Sequence, residues 1–410
     1  MTTTVEVVVV GAGPAGTAAA TTLARAGREV LVLDRARFPR DKICGDGLTT
    51  GALRRLEHLG LDPTAVPSWR RVDDVVVRGP AGRAVTFGLP RDQGTFAAVA
   101  ARADLDAALV AVARAAGAEV REGHACRAAA EHLDRVVLDV EGLGEVHARY
   151  VVGADGMWSP LRRALGLSSP GYRGEWHAFR QYFAEVGPRA ASELFVWFEP
   201  DLLPGYAWSF PLAGGRANVG FGILRGSTTV PRVRRMKDLW PEVLARPHVA
   251  EVLGTGARPE APHRAWPIPA RVDRTVLTGA RTLFVGDAAA ACDPLTGEGI
   301  GQALATGVLA GEVLATAGAR DPAATTAAYR SRVRAALLAD HRAAAALGRV
   351  LAHPRAASGA VALAGATPWV RRQFARWLFE DYPRALLATP RRWRPGTLGR
   401  PGAWAVPPGG

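Results

Sequence analysis

Val5-Glu-Val-Val-Val-Val-Gly-Ala-Gly-Pro-Ala-Gly16, followed by Val30-Leu-Val-Leu-Asp-Arg35, decides the fold of this 410-residue chain. The β-branched run Val7–Val10 suits a parallel strand buried on both faces, and it runs straight into glycines. Gly11 makes a tight turn, Gly13 lets the backbone approach a pyrophosphate, and Gly16 lets the helix Ala15–Ala26 pack on the strand. The start of that helix, at Ala15, offers unpaired N–H groups and a partial positive charge to phosphates. Asp34, closing the second strand beside Arg35, is placed to accept hydrogen bonds from ribose hydroxyls. Strand, glycine turn, helix and acid together specify a dinucleotide site, without choosing between FAD and NAD.

Outward from this unit the same texture continues. Asp104–Ala116 has helical spacing, and Ala118–Arg121 follows as another parallel-type strand. Val136–Val140 and Glu145–Val152 read as a hairpin turned at Gly142–Gly144. Between Tyr172 and Leu224 the pattern changes to aromatic-rich alternation, the sign of an antiparallel sheet inserted in the first domain. Parallel signals return at Thr282–Val285, with a long helix from about Gly301. From Pro322 onward only helices are expected, ending in a Pro/Gly/Arg-rich tail, Pro407-Pro-Gly-Gly410. The fold class is therefore α/β (α+β). Residues 1–75, 102–172 and 275–340 form the dinucleotide domain, 76–101 and 173–274 a substrate domain, and 341–410 a helical extension.

Composition excludes several classes. Hydrophobic residues make up 48% and charged residues 22%, which rules out a disordered or fibrous chain. Cys44, Cys126 and Cys292 are scattered with no CxxC pair, so neither a disulfide framework nor a cysteine-rich metal site is expected. The start lacks a basic n-region, and no run of about 18 apolar residues could span a membrane, so a soluble cytoplasmic protein is expected. The net charge is +13, but only Lys42 and Lys237 are lysines. Such arginine and alanine enrichment follows a GC-rich coding sequence and does not imply nucleic acid.

Two segments settle the cofactor. Val151-Val-Gly-Ala-Asp155-Gly-Met-Trp-Ser159 resembles the DG motif of the aromatic-hydroxylase class of flavoproteins. Phe284-Val-Gly286-Asp287-Ala288, with Pro294-Leu-Thr-Gly297-Glu-Gly299-Ile300-Gly301, resembles their GD motif. The resemblance implies FAD, with Asp287 on the ribityl hydroxyls and the Gly297–Gly301 turn against the flavin N1–C2=O edge, where positive potential favours the reduced flavin. It also implies that Arg102 reaches the phosphate and ribose region, and that Cys126 lies beside the adenine.

Two further segments narrow the family. Phe38-Pro-Arg-Asp-Lys42-Ile-Cys44-Gly45-Asp-Gly47 and Gly205-Tyr206-Ala-Trp208-Ser-Phe210-Pro211 resemble the P-x-x-K-x-C-G-x-G and Y-x-W-x-F-P motifs of the geranylgeranyl reductase family. Arg216-Ala-Asn-Val-Gly-Phe-Gly222 continues the match, which runs from about Val5 to Gly318. The family implies saturation of isoprenoid double bonds, as in polyprenyl lipids or menaquinone, with NADPH or NADH as reductant. Tyr206, Trp208 and Phe210, alternating on one strand face, would then wall an isoprene cavity. Cys44, Tyr206 and Trp208 become candidate catalytic residues, and Cys44 or a water the proton source. Lys42 would pair with a flavin or NADPH phosphate.

A monooxygenase of the same fold, acting on an aromatic or polyketide substrate, is the second reading. A halogenase is disfavoured because W-x-W-x-I-P is missing. A prenyl-binding chaperone like the Rab GDP-dissociation inhibitors would have lost the flavin-facing motifs, which are intact here. Oligomeric state is left open.

The basic balance is concentrated at one end. Between Arg342 and Gly410, 11 arginines face two carboxylates, Glu380 and Asp381, so nine of the thirteen net charges lie there. Trp369–Phe379 places aromatics beside Arg371, Arg372 and Arg376. Such a helix either packs on the core with a solvated charged face or lies on an anionic membrane surface.

Overall fold

The Val7–Val10 run forms the middle of a seven-stranded sheet in the computed structural model, which describes residues 3–226, 236–317, 321–386 and 396–405. Strand Thr3–Val10 lies between Val30–Asp34 and Gly144–Gly153, parallel to both, with Glu119–Glu122 outside Val30–Asp34. The ten-residue strand Gly144–Gly153 has one free edge and divides it. Its first half pairs antiparallel with Val136–Val140, its last three residues parallel with Thr282–Phe284. Val8, Val9, Val32, Val151 and Val152 are fully buried in this sheet. Burial of each such side chain contributes about 1.5–3 kcal/mol.

Helices Pro14–Arg25 and Ile300–Ala315 cross in close contact over this sheet. A Cβ at Gly307 would lie 2.2 Å from the Ala15 carbonyl oxygen, and one at Gly311 2.6 Å from Thr22 Cβ. The expected Asp104 helix starts earlier, at Arg102, so Arg102 stands on its first turn. The other expected elements occur within a few residues of their expected ends.

A second sheet, of eight mostly antiparallel strands, is built around Trp176–Ala184, Arg216–Leu224, Tyr206–Leu212 and Leu194–Trp197. It also takes strands Asp74–Arg78 and Ala84–Gly88 from early in the chain, the former pairing parallel with Leu194–Trp197. Helices Pro322–Leu351, Pro354–Ala364 and Pro368–Leu378 follow. The last of these packs on Ala84–Gly88, with Phe374 and Phe87 ring centroids 4.9 Å apart. Ala375 and Arg376 are buried there, while Trp369 is 64% exposed. Arg391, Arg392, Arg394 and the Pro407-Pro-Gly-Gly410 end lie outside the described residues. Among the described residues no helix is long and apolar enough to cross a membrane.

Candidate active site

The glycine turn closes on itself first. Gly11, at φ +106°, stands where a Cβ would come 2.3 Å from the Ala154 carbonyl oxygen, and at Gly16 a Cβ would come 1.8 Å from the Gly11 oxygen. Only glycine fits either position. Asp34 clamps the turn, its carboxylate accepting from the Ala12 N–H at 2.7 Å and the Ala36 N–H at 2.8 Å. Gly13 ends the turn as the uncapped start of helix Pro14–Arg25. Space opens beside Gly13 towards two guanidiniums, with Arg40 and Arg102 nitrogens 3.8 and 3.9 Å from the position of a Cβ.

Those two arginines share one buried carboxylate. Arg102 makes a two-point pair with Asp106, at 2.7 Å on each oxygen, and Arg40 reaches the same side chain at 2.8 Å. Burial opposes the Arg102 charge, and the Asp106 carboxylate outweighs it, so Arg102 stays cationic. One negative charge thus holds two positive ones against an uncapped helix N-terminus, a cradle for a pyrophosphate.

From this cradle a cavity of about 1040 Å³ runs to the second sheet. It is lined by Gly11, Gly13, Ala15, Asp34, Arg35, Lys42, Cys44, Gly45, Gly47, Arg102, Cys126 and Asp155 along one course. Gly286, Asp287, Gly297, Gly299 and Ile300 line it further on, as do Tyr206, Trp208 and Phe210. Three expected site residues stand off its wall. Gly16 packs on Gly11, the Pro294 carbonyl accepts from Trp176 Nε1 at 3.1 Å, and Pro211 is buried opposite Ala217.

Around the middle of the cavity the groups are tightly sorted. Lys42 Nζ lies 4.0 Å from the Trp266 ring centroid and 3.9 Å from Asp287, and burial lowers its pKa despite that carboxylate. Cys292 Sγ donates to Asp287 at 3.4 Å. Cys126 is pushed up to about 12 by burial and stays a thiol. Asp155 bonds the Ser159 hydroxyl at 2.6 Å and the Leu161 N–H at 2.9 Å, which fixes the turn that follows strand Gly144–Gly153. Asp293 folds the next loop by accepting from the Leu295 and Thr296 N–H groups. Glu298 accepts from the Gly301 N–H at 2.6 Å at the start of helix Ile300–Ala315. Burial, then the nearby Glu380, pushes its carboxyl up to about 8.

The aromatic wall is a continuous row of tilted rings. Tyr206 to Trp208 and Trp208 to Phe210 centroids are each 5.9 Å apart, and a Cβ at Gly45 or Gly47 would lie 3.5 or 3.2 Å from the Phe210 ring. The Tyr206 hydroxyl donates to the Thr296 carbonyl, which ties this strand to the Gly297 turn. Cys44 faces the cavity, and burial raises its pKa.

Sequence reasoning passed over four features. Arg40 is the second cradle arginine. Asp46, inside the quoted Cys-Gly-Asp-Gly segment, is a fully buried carboxyl bonded by Tyr182 and Asn218 at 2.7 Å each. Glu298 was visible in its motif without a role. The apolar end of the cavity is roofed by Leu351, Val361, Ala364, Phe374 and Trp377, all from the C-terminal helices.

The cavity suits FAD: it is long, it is cationic where a pyrophosphate would sit, and it is apolar at the far end. The family model described as FAD binding domain matches residues 4–337. The chain is similar to a menaquinone reductase of Mycobacterium tuberculosis, 38% identical over 332 residues, covering 75% of this chain and 76% of the relative. It is also similar to digeranylgeranylglycerophospholipid reductase 1 of Methanopyrus kandleri, 36% identical over 80% of this chain and 84% of that one. Among solved structures, a geranylgeranyl bacteriochlorophyll reductase-like protein of Thermoplasma acidophilum shares the fold, with a TM-score of 0.79 and 21% identity over 96% of this chain and 100% of that one. The chain is an FAD-dependent oxidoreductase and belongs to the geranylgeranyl reductase family.

Proposed function

We propose that this enzyme saturates carbon–carbon double bonds in the polyprenyl part of a lipid or a menaquinone-type quinone. The observation that carries the reading is the continuity of one cavity, from the cationic cradle at Gly13 to an apolar end walled by Tyr206, Trp208 and Phe210. The names of the relatives, a menaquinone reductase and a digeranylgeranylglycerophospholipid reductase, support it.

FAD, when bound and reduced, supplies the hydride. The chain's own residues do the rest. Gly13, Arg40 and Arg102 bind the pyrophosphate, Asp34 the adenosine ribose, and Asp287 the ribityl chain. The Gly299–Ile300 backbone, on the cavity wall at the start of helix Ile300–Ala315, would hold the flavin pyrimidine edge. The aromatic wall and its helical roof exclude water and hold an isoprene unit by apolar contact. Cys44, kept as a thiol by burial, holds a proton at Sγ. In this reading the seven-stranded sheet is the core of the FAD unit and the eight-stranded sheet that of the substrate unit.

NADPH or NADH is the reductant in this reading, docking transiently beside the Asp155–Trp158 turn. The roof helices also supply a lipid-facing rim. No acidic residue occurs from His341 to Phe379, and Val350, Leu363 and Trp369 are 58, 71 and 64% exposed among arginines. An anionic bilayer surface complements that face, and a prenylated substrate would enter the apolar end from it.

The test is anaerobic. Chemically reduced enzyme given menaquinone or a geranylgeranyl lipid should yield product whose polyprenyl chain has gained hydrogen and no oxygen, read by mass spectrometry after any quinol has been reoxidised to the quinone. Product formed only in air and carrying oxygen would overturn this reading in favour of a monooxygenase.

A further inference from the structure

Asp46 plays no part in the dinucleotide cradle, yet its carboxyl is the hub of a buried network on the cavity wall. The residue is 0% exposed and sits at φ +66°, in the left-handed region that Asp and Asn enter with least strain after glycine. Two strands of the second sheet donate to it, and a third joins the network through Asn218. Tyr182 Oη and Asn218 Nδ2 both donate to Asp46 Oδ2 at 2.7 Å. Asn218 Nδ2 also donates to the Cys44 carbonyl at 2.8 Å, and its Oδ1 accepts from Trp208 Nε1 at 3.1 Å. The Asp46 backbone N–H donates to Cys44 Sγ at 3.4 Å, so carboxyl and thiol leave one turn. The second carboxyl oxygen, Oδ1, is buried without a hydrogen-bond partner. An ionised carboxylate with an unpartnered buried oxygen pays the full desolvation cost, whereas the protonated group avoids most of it.

We propose that Asp46 is the proton store of the active site, returning a proton to the Cys44 sulfur after the thiol has given its own to the substrate. The proposal rests on the reductase reading above. In the balanced step, the alkene π bond breaks, hydride adds to one carbon, and the Cys44 S–H proton forms the second C–H bond, leaving a thiolate. The Asp46 O–H then breaks, its proton passes to sulfur through water in the cavity that both residues line, and the carboxylate is reprotonated from water past the half-buried Tyr182. Both electrons arrive with the hydride, so Cys44 and Asp46 are neither oxidised nor reduced.

The groups facing Asp46 set when the store is full. Tyr182 and Arg180 come from one strand, with the Arg180 guanidinium 4.0 Å from the Tyr182 ring centroid and that of Arg216 at 5.5 Å. Arg102 and Cys44 complete the titratable surroundings. Burial pushes the Asp46 carboxyl up to about 6 against the pull of Tyr182, Arg180, Asn218 and Arg102. The store is therefore loaded below about pH 6 and empties as pH rises through it.

Asp46→Asn tests this, because Asn tolerates the same φ and its amide oxygen can still accept from Tyr182 and Asn218. The first readout needs no substrate: iodoacetamide alkylation of Cys44 in the FAD-loaded enzyme against pH, with Cys44→Ser as the blank. Wild type should show an inflection near pH 6 ahead of the thiol titration. D46N should lose it, with the thiol ionising at lower pH. Tyr182→Phe, which keeps the carboxyl and removes one donor, should move the inflection upward. Superimposable profiles for wild type and D46N would overturn the proposal. Over successive anaerobic turnovers with menaquinone and a flavin reductant, hydrogen added to the polyprenyl chain should accumulate about 100-fold more slowly in D46N, and the decline above pH 6 should be lost. An unchanged rate and profile would also overturn it. Failure of wild type to add hydrogen at any pH would count against the reductase reading instead, while the alkylation profile still judges Asp46.

Discussion

Arg102 and Asp106 stand one helical turn apart and meet at two points, 2.7 Å each, with the Asp106 side chain fully buried. Removing one member of a buried pair costs about 3–5 kcal/mol, because the survivor keeps its charge without compensation. Asp106→Ala frees both Arg102 and Arg40. The variant should unfold at lower denaturant and lose FAD on gel filtration, with its FAD dissociation constant raised at least about tenfold. Wild-type flavin retention in D106A would show that Arg102 is held independently.

The helix crossing at Gly307 predicts a second loss. A Cβ there must displace the Ala15 carbonyl, in the first turn of helix Pro14–Arg25. Overpacking of this kind costs about 1–3 kcal/mol. Gly307→Ala should lower the thermal midpoint and weaken flavin binding together, although residue 307 is not on the cavity wall. Calorimetry and flavin fluorescence measure the two effects on one sample.

Glu298 makes stability pH-dependent. Its carboxyl ordinarily titrates at 4.5 and is pushed up to about 8 in the fold. Between those values the folded state binds more protons than the unfolded state, so this group's contribution is full below pH 4.5 and is lost as pH rises through about 8. Glu298→Gln removes the burden. Its urea midpoint should exceed that of wild type at pH 8 and approach it at pH 5, where equal differences at both values would refute the assignment.

Trp369 and Leu363 give a test of the lipid-facing rim. Both are exposed, so Trp369→Ala with Leu363→Ser should leave the melting temperature within about 1 °C, since surface changes of this kind cost under about 0.5 kcal/mol. The same pair should reduce co-sedimentation with phosphatidylserine vesicles at low salt several-fold. Undiminished pelleting would place the contact elsewhere.

How much was legible follows from how local each feature is. The glycine turn, Asp34 and the Gly297 loop are set by neighbours along the chain, so the sequence displays them directly. Asp46 depends on Tyr182 and Asn218, more than 130 residues away, and its perturbed carboxyl arises only from burial between strands whose pairing no short pattern encodes. Charge counting misled at the C-terminus for a related reason. Arg376 is buried against Asp381, and Arg384 against Asp293 and Glu380, so two arginines of the basic tail sit inside the protein. Phe374 and Trp377 read as one face of an amphipathic helix, and what that face covers becomes visible only once Ala84–Gly88 is in the second sheet.

The roof of the cavity has a consequence for biosynthesis. A ribosome delivers Gly11 to Gly16 first and the Val361 and Phe374 walls more than 300 residues later. The chain then returns to its beginning, with Ala403 bridged to Thr95 and the Trp404 N–H bonded to Glu57 at 2.7 Å. A nascent chain truncated after the long helix would carry every glycine turn and still present an apolar trough open to water.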